Sequence, residues 1–190
     1  MNADLRDLEL GFALVGGLAV SARAEPRLTR DVDVVIATDD DRDAERVVQA
    51  MLGRGYRITT AIEQVKTGRL ATTRLRPPGR TELVVDLLFA SCGVEPEIVE
   101  SADAIEILPK LVMPVAKVGH LIAMKLLARD DRSRPQDLDD IRALLHVASS
   151  ADLRLVTRTI DQISTRGFAR GRDLSRAWKT VRSVSLVQKK

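Results

Sequence analysis

Two aspartates at the start of an apolar strand constrain this chain more than any other feature. Residues 31–37 read DVDVVIA, a β-branched run whose two-residue alternation predicts a strand. Because side chains alternate across a strand, Asp31 and Asp33 point to one face and the valines between them to the other. Two like charges on one face of a half-buried strand repel each other and resist desolvation. A compensating partner is therefore expected.

A divalent cation would compensate this pair, and Mg²⁺ suits a place where carboxylates meet phosphates. A third carboxylate, Asp86, lies in ELVVDLLFA at residues 82–90, the most apolar run, which predicts a central strand. If the two strands are neighbours, three carboxylates converge and can hold one or two ions for in-line phosphoryl chemistry. The D-x-D spacing also occurs in helix caps and surface pairs, so the surrounding pattern decides. We expect Asp31, Asp33 and Asp86 to bind the metal.

A Gly-Gly pair precedes the acidic strand. Residues 11–17, GFALVGG, predict a short strand, and residues 18–25, LAVSARAE, a short helix that ends before Pro26. Gly16 and Gly17 then lie between a strand and a helix, where free N–H groups and the helix dipole favour an anion. Glycines also let a phosphate approach the backbone closely. A nucleoside triphosphate on the glycine side and a metal on the aspartate side would share one cleft.

The rest of the chain divides into two parts. Residues 1–110 read as a mixed α/β lobe and residues 111–190 as a helical lobe too small to be an independent domain. Further strands are expected at 56–62 and 68–76, and further helices at 39–55, 114–129, 135–148, 151–165 and 169–187.

Composition limits the classes of protein. No run approaches the roughly 20 apolar residues of a membrane span, the N-terminus lacks a signal-peptide pattern, and Cys92 is the only cysteine. A soluble cytoplasmic protein without a membrane partner is expected. Residues 151–190 hold ten Lys and Arg against three Asp, a local charge of +7, whereas the whole chain carries +3. Such a tail is either a solvated helix face or a surface for a polyanion.

Two segments carry a resemblance to a known family. GGLAVSARAEPRLTRDVDVV and the later LIAMKLLARDDRSRPQDLDDI are similar to motifs of AbiEii-type nucleotidyltransferases, which belong to the DNA polymerase β-like superfamily. The resemblance spans roughly residues 10–145. It implies an α/β (α+β) fold, a polymerase β-like nucleotidyltransferase lobe with a mixed sheet, followed by a C-terminal α-helical lobe.

The resemblance also implies roles for single residues. Gly17 stands where the best-known superfamily members have serine, Asp86 matches by residue type and strand context only, and Asp139 or Asp140 could replace Asp137. From LIAMKLLA alone, Lys125 could equally extend to the surface or face an anion-binding cleft. The roles are catalysis for Asp31, Asp33, Asp86, Lys125 and Asp137, and nucleotide binding for Gly16, Gly17, Arg27, Thr29 and Lys125.

The expected reaction moves a nucleoside monophosphate from an NTP to an acceptor hydroxyl. The resemblance implies the toxin of a toxin–antitoxin pair, and some relatives add nucleotides to the 3′ end of tRNA and thereby stop translation. The basic tail is compatible with tRNA or another RNA. A cognate antitoxin could act by phosphorylating Thr29. The alternatives are a small-molecule, antibiotic-modifying nucleotidyltransferase and a catalytically inactive nucleotide-binding module.

Overall fold

A computed structural model describes residues 1–26, 28–29, 31–79, 82–130 and 136–187, with the side chains of 184–187 left out. The strands of this part of the chain are β1 (Phe12–Val15), β2 (Asp31–Ile36), β3 (Arg57–Glu63), β4 (Leu70–Arg76), β5 (Val84–Leu88), β6 (Asp103–Leu108) and β7 (Leu111–Val115). The helices are α1 (Asn2–Arg6), α2 (Gly16–Arg23), α3 (Asp41–Gly53), α4 (Glu95–Glu100), α5 (Val118–Ala128), α6 (Gln136–Val147), α7 (Ser150–Thr165) and α8 (Leu174–Val187).

The strands form one mixed sheet in the order β3-β4-β5-β2-β1-β7-β6. The acidic strand β2 lies at its centre, antiparallel to β1 and parallel to β5. The expected neighbourhood of β2 and β5 is therefore confirmed, although the central position belongs to β2. Valines of β2 and β5 are buried on the face opposite the aspartates. Their burial fixes the register, because a slip of one residue would move the valines to the wrong face.

The helix predicted over residues 114–129 is wrong at its start. Pro114 lies in β7, and α5 begins only at Val118. Proline suits the first turn of a helix, which is why its position favoured one. Here Pro114 is the register partner of Ala104 in the antiparallel ladder with β6, and β7 pairs with β1 at Leu14↔Val115. The proline contributes no N–H to either ladder, but pairing with β6 still holds it in an extended strand. The division at residue 110 stays a prediction, but the sheet itself continues to Val115.

The helical part packs around α5, whose residues are mostly buried and which contacts α7, α6 and α2. The Ser149 side chain accepts from the Asp152 N–H and the Asp152 side chain accepts from the Ser149 N–H, a capping box that begins α7. A close approach joins α5 to α7 at Gly119, where a Cβ would lie 2.7 Å from the Asp152 carbonyl oxygen. None of the described helices has the length and hydropathy that a bilayer crossing requires.

This close approach predicts the effect of one added methyl group. Gly119→Ala should lower the free energy of unfolding by about 1–3 kcal/mol, because backbone and the Leu155 side chain leave no space for the Cβ. Urea denaturation followed by circular dichroism measures the change. Gly53→Ala, on a helix with no atom within 4 Å of the new Cβ, is the matched control and should not be destabilising. Equal stability of the two variants would contradict the packing.

Candidate active site

A cavity of about 1110 Å³ opens between one face of the sheet and the helical part of the chain. Strands β2, β4 and β5 form one wall, and α5, the start of α6 and the loop between α7 and α8 form the other. Arg27, expected to bind the nucleotide, lies outside the described residues. The other predicted site residues all line this cavity: Gly16, Gly17, Thr29, Asp31, Asp33, Asp86, Lys125 and Asp137.

Strand register brings the three predicted metal-binding carboxylates to the cavity. Asp33 of β2 is the register partner of Asp86 in the parallel ladder with β5. Asp31 lies two residues earlier on the same face of β2, and Asp86 is buried. The expected convergence on one cavity is therefore observed, whereas the role of these residues as metal ligands stays a prediction.

The glycine turn is in direct contact with the acidic strand. Gly16 has φ = +64°, a left-handed conformation that glycine adopts at little cost. A Cβ at this position would collide with the Asp33 carboxylate and lie 2.5 Å from its Cγ. Gly16 is therefore required both for backbone conformation and for space. Nearby, the Thr29 hydroxyl donates to the Asp31 carbonyl oxygen over 3.3 Å.

Arg74, on β4, is a site residue that the sequence pattern did not identify. Its Nε donates to Asp86 Oδ1 at 2.8 Å and its Nη2 donates to Oδ2 at 2.7 Å, a bidentate ion pair between register partners. These hydrogen bonds raise the pKa of the Arg74 guanidinium despite its partial burial, and the charges of Asp31 and Asp33 add to the rise. The guanidinium thus lies in the field of all three carboxylates.

Lys125 of α5 does not extend to the surface. Its side chain is 8% exposed, and its Nζ lies 2.8 Å from Asp137 Oδ1 and 2.7 Å from Asp140 Oδ2. Both aspartates therefore bind the lysine, whereas Asp139 is exposed and pairs with Arg142. The third donor of the ammonium group has no partner among the described residues, so Lys125 can still donate into the cavity that it lines.

The far end of the cavity is formed by two loops that the sequence pattern did not identify. Lys66, in the turn between β3 and β4, reaches the loop after α7, where a Cβ on Gly167 would overlap its side chain. Arg170 donates to the Ser91 carbonyl oxygen at 2.9 Å. Ser91 is held in turn by the buried Glu95 carboxylate, which accepts from its N–H and its hydroxyl. Surface loops without periodicity gave no signal for these contacts.

The donors at the acidic end suit a hard cation. Carboxylate oxygens beside a glycine turn are the ligands expected for Mg²⁺ carrying a phosphate group. In the described part of the chain, no three His, Cys, Asp or Glu side chains are arranged to hold a metal ion together. Asp31 and Asp33 fit such an ion by chemistry and position, while both oxygens of Asp86 are bound to Arg74.

The sequence as a whole identifies the family. A family model described as "Nucleotidyl transferase AbiEii toxin, Type IV TA system" matches residues 2–183, nearly the full chain. The chain belongs to the AbiEii family. This protein is therefore a nucleotidyltransferase of a toxin family, of a kind that generally uses an NTP and divalent metal ions. No match was found among curated proteins.

Solved structures support the fold of this AbiEii-family protein. A solution structure of the antibiotic-resistance factor ANT(2'')-Ia has a TM-score of 0.55 at 15% identity, with 86% of this chain and 87% of the other covered. An antigenic nucleotidyltransferase-like protein from Paracoccidioides brasiliensis has a TM-score of 0.52 at 19% identity, covering 94% and 88%. At these identities the likeness shows the fold alone, a mixed α/β fold like that of nucleotidyltransferases.

The contact between Gly16 and Asp33 leads to a prediction. Gly16→Ala should destabilise the protein and weaken nucleotide binding, because the methyl group displaces the Asp33 carboxylate. Gly68→Ala has the same left-handed φ, at +67°, but no atom within 4 Å of the new Cβ. Gly68→Ala therefore measures only the free-energy cost of placing alanine in the left-handed conformation, about 1–2 kcal/mol. Thermal unfolding should show a larger loss for Gly16→Ala, and similar losses in the two variants would contradict the contact.

Proposed function

We propose that this protein transfers a nucleoside monophosphate from an NTP to a hydroxyl at the 3′ end of an RNA, with tRNA as the favoured acceptor and Mg²⁺ as the metal. The main support is the cavity, where Asp31, Asp33 and Asp86 lie together with the Gly16 turn and Lys125. Phosphate-binding and cation-binding groups share one space large enough for a nucleotide.

Each group has a place in the reaction. The acceptor hydroxyl oxygen attacks the α-phosphorus, the α–β phosphoanhydride bond breaks and pyrophosphate leaves. Bound Mg²⁺, held by Asp31, Asp33 and Asp86, would supply charge neutralisation for the attacking and leaving oxygens. Asp86 accepts the hydroxyl proton or helps to orient the attacking group. Lys125 and the N–H groups of the glycine turn bind the triphosphate.

A basic groove on the helical part supports an RNA acceptor. It has a volume of about 620 Å³ and lies between α7 and α8. Asp161 is the one acidic residue among those that line it, and the buried Trp178, under the Arg182 guanidinium, donates to the Thr157 hydroxyl. Arginines and hydroxyls are typical contacts to the phosphate backbone of nucleic acids. The arginines and hydroxyls of the groove are Arg154, Arg158, Arg182, Ser150, Thr157 and Ser175.

The groove and the cavity are connected through one loop. Residues 167–171 follow α7 and precede α8, and Gly167, Arg170 and Gly171 of this loop line the cavity. Arg170 thus brings a basic side chain into the cavity shortly after α7, whose earlier turns line the groove. An RNA whose backbone lies along α7 could place its end near Asp86.

A small-molecule acceptor is the second candidate. Its support is the fold likeness to ANT(2")-Ia, which was solved in complex with adenylyl-2"-tobramycin. The TM-score is 0.52 at 13% identity, and the alignment covers 86% of this chain and 92% of the other. A cationic drug favours an acidic acceptor pocket, whereas Lys66 and Arg170 lie at the far end of this cavity.

An inactive binding module is disfavoured by three carboxylates at one cavity, which are costly to desolvate.

Regulation by a cognate antitoxin is compatible with the family. Thr29 lines the cavity two residues before Asp31, so a phosphate there would add about −1.5 to −2 charges beside the proposed triphosphate site. Phosphorylation of Thr29 by a partner stays a prediction.

The proposed reaction predicts a defined loss of activity. Asp33→Ala should reduce transfer of label from each of the four α-³²P NTPs to total tRNA to background, in the presence of Mg²⁺. Asp139→Asn removes a carboxylate that lies at the surface and should keep full activity. Gel analysis of the labelled RNA measures the transfer, with tobramycin as a parallel acceptor. Equal labelling by Asp33→Ala and the wild type would rule out the assignment, and labelling of tobramycin alone would favour the second candidate.

The groove predicts how RNA recognition depends on salt. The double variant Arg154→Glu/Arg158→Glu should raise the KM for RNA and reduce the log–log salt slope of RNA binding by about one per arginine removed. The KM for the NTP should stay unchanged. The matched control is Arg42→Glu/Arg46→Glu, the same charge reversal at the same spacing on α3. Fluorescence anisotropy with a labelled tRNA measures binding, and equal effects of both double variants would contradict a specific groove.

A further inference from the structure

The ion pair between Arg74 and Asp86 places a cation where the proposed reaction needs a metal. The guanidinium binds both oxygens of the one carboxylate that β5 contributes to the cavity. A bidentate charge-assisted pair is among the stronger hydrogen-bonded interactions in proteins. A divalent ion that ligates Asp86 has to break at least one of these bonds.

We propose that Arg74 competes with the divalent cation for Asp86 and releases the carboxylate only when the phosphates of a nucleotide are present to receive the guanidinium. Arg74 is in this sense a positioning residue, which acts on the metal through Asp86. The inference rests on the proposed function, because it takes the carboxylates of this cavity to be the cation site.

The two partners differ in their freedom to move. The Asp86 side chain is 10% exposed on an interior strand, whereas the Arg74 side chain is 46% exposed and lines the cavity. Among the described residues, Asp86 is the one hydrogen-bond partner of the Arg74 guanidinium. The long arginine side chain can therefore swing towards the cavity while the short aspartate stays in place.

A triphosphate offers the guanidinium an equivalent partner. The planar fork of arginine matches phosphate oxygens as well as it matches a carboxylate. Without a nucleotide, a metal ion that displaces Arg74 leaves a cation beside another cation, which is unfavourable. With a nucleotide, the displaced guanidinium regains two hydrogen bonds, so the cost of displacement is offset. Metal and nucleotide should therefore bind cooperatively, by thermodynamic linkage.

The test measures metal binding rather than activity. Binding of Mn²⁺, a paramagnetic substitute for Mg²⁺, is followed by electron paramagnetic resonance in the wild type and in Arg74→Gln. Each protein is titrated alone and with the α,β-methylene analogues of the four NTPs, which cannot be transferred. Arg74→Gln should tighten Mn²⁺ binding at least about tenfold in the absence of nucleotide, as expected for loss of one charged hydrogen bond. With an analogue bound, the variant should bind Mn²⁺ no more tightly than the wild type.

A neighbouring arginine provides the matched control. Arg76 lies two residues further along β4 on the same exposed face, and it does not line the cavity. Arg76→Gln removes the same charge and should leave Mn²⁺ binding unchanged in both states. If Arg74→Gln fails to fold, Arg74→Lys replaces it, because lysine keeps the charge but loses the two-point contact, and a smaller tightening is expected.

The outcomes separate this inference from the proposed function. Unchanged Mn²⁺ binding in Arg74→Gln, or equal tightening with and without the analogue, would overturn the competition. If the wild-type protein binds Mn²⁺ with an analogue but Arg74→Gln binds it equally tightly in both states, only this inference is overturned and the proposed function stands. A wild-type protein that binds no Mn²⁺ even with an analogue would contradict the metal site of the proposed function itself.

Discussion

The parallel pairing of β2 with β5 is the constraint on which the site depends. It places Asp33 opposite Asp86, while the antiparallel pairing of β1 places Val15 opposite Asp33 and so brings Gly16 against its carboxylate. A slip of one residue in either ladder would turn the aspartates to the other face. Buried valines on the opposite face of β2 prevent that slip. The apolar core therefore fixes the position of the acidic groups.

Oppositely charged side chains are paired on both walls of the cavity. Arg74 binds Asp86 on the sheet, and Lys125 binds Asp137 and Asp140 between α5 and α6. Buried charges are tolerated when they are paired and hydrogen-bonded. A metal–triphosphate complex carries both signs of charge, so it can bind the carboxylates through its cation and the basic groups through its phosphates.

Local patterns predicted the acidic strand, the glycine turn and the paired strand of Asp86, because each depends on alternation or on backbone preference over a few residues. Lys125 was expected either to extend to the surface or to face an anion-binding cleft, and its burial against two aspartates excludes the surface. The two ion pairs themselves were not predicted, and a phosphate contact of Lys125 stays a prediction. Arg74 was missed because its partner depends on the pairing of β4 with β5, which LATTRLR does not specify. Pro114 misled because proline suits the first turn of a helix, whereas its place in β7 depends on pairing with β6, which the local sequence does not specify.

Location of the metal tests the central claim most directly. Crystals of the wild-type protein grown with Mn²⁺ and an α,β-methylene nucleotide allow the ion to be found by its anomalous scattering. We expect an anomalous peak about 2.0–2.2 Å from carboxylate oxygens of both Asp31 and Asp33, with the phosphates between the ion and the Gly16 turn. Nucleotide density in the cavity with no ion on these two aspartates, or an ion bound at some other site, would contradict the claim.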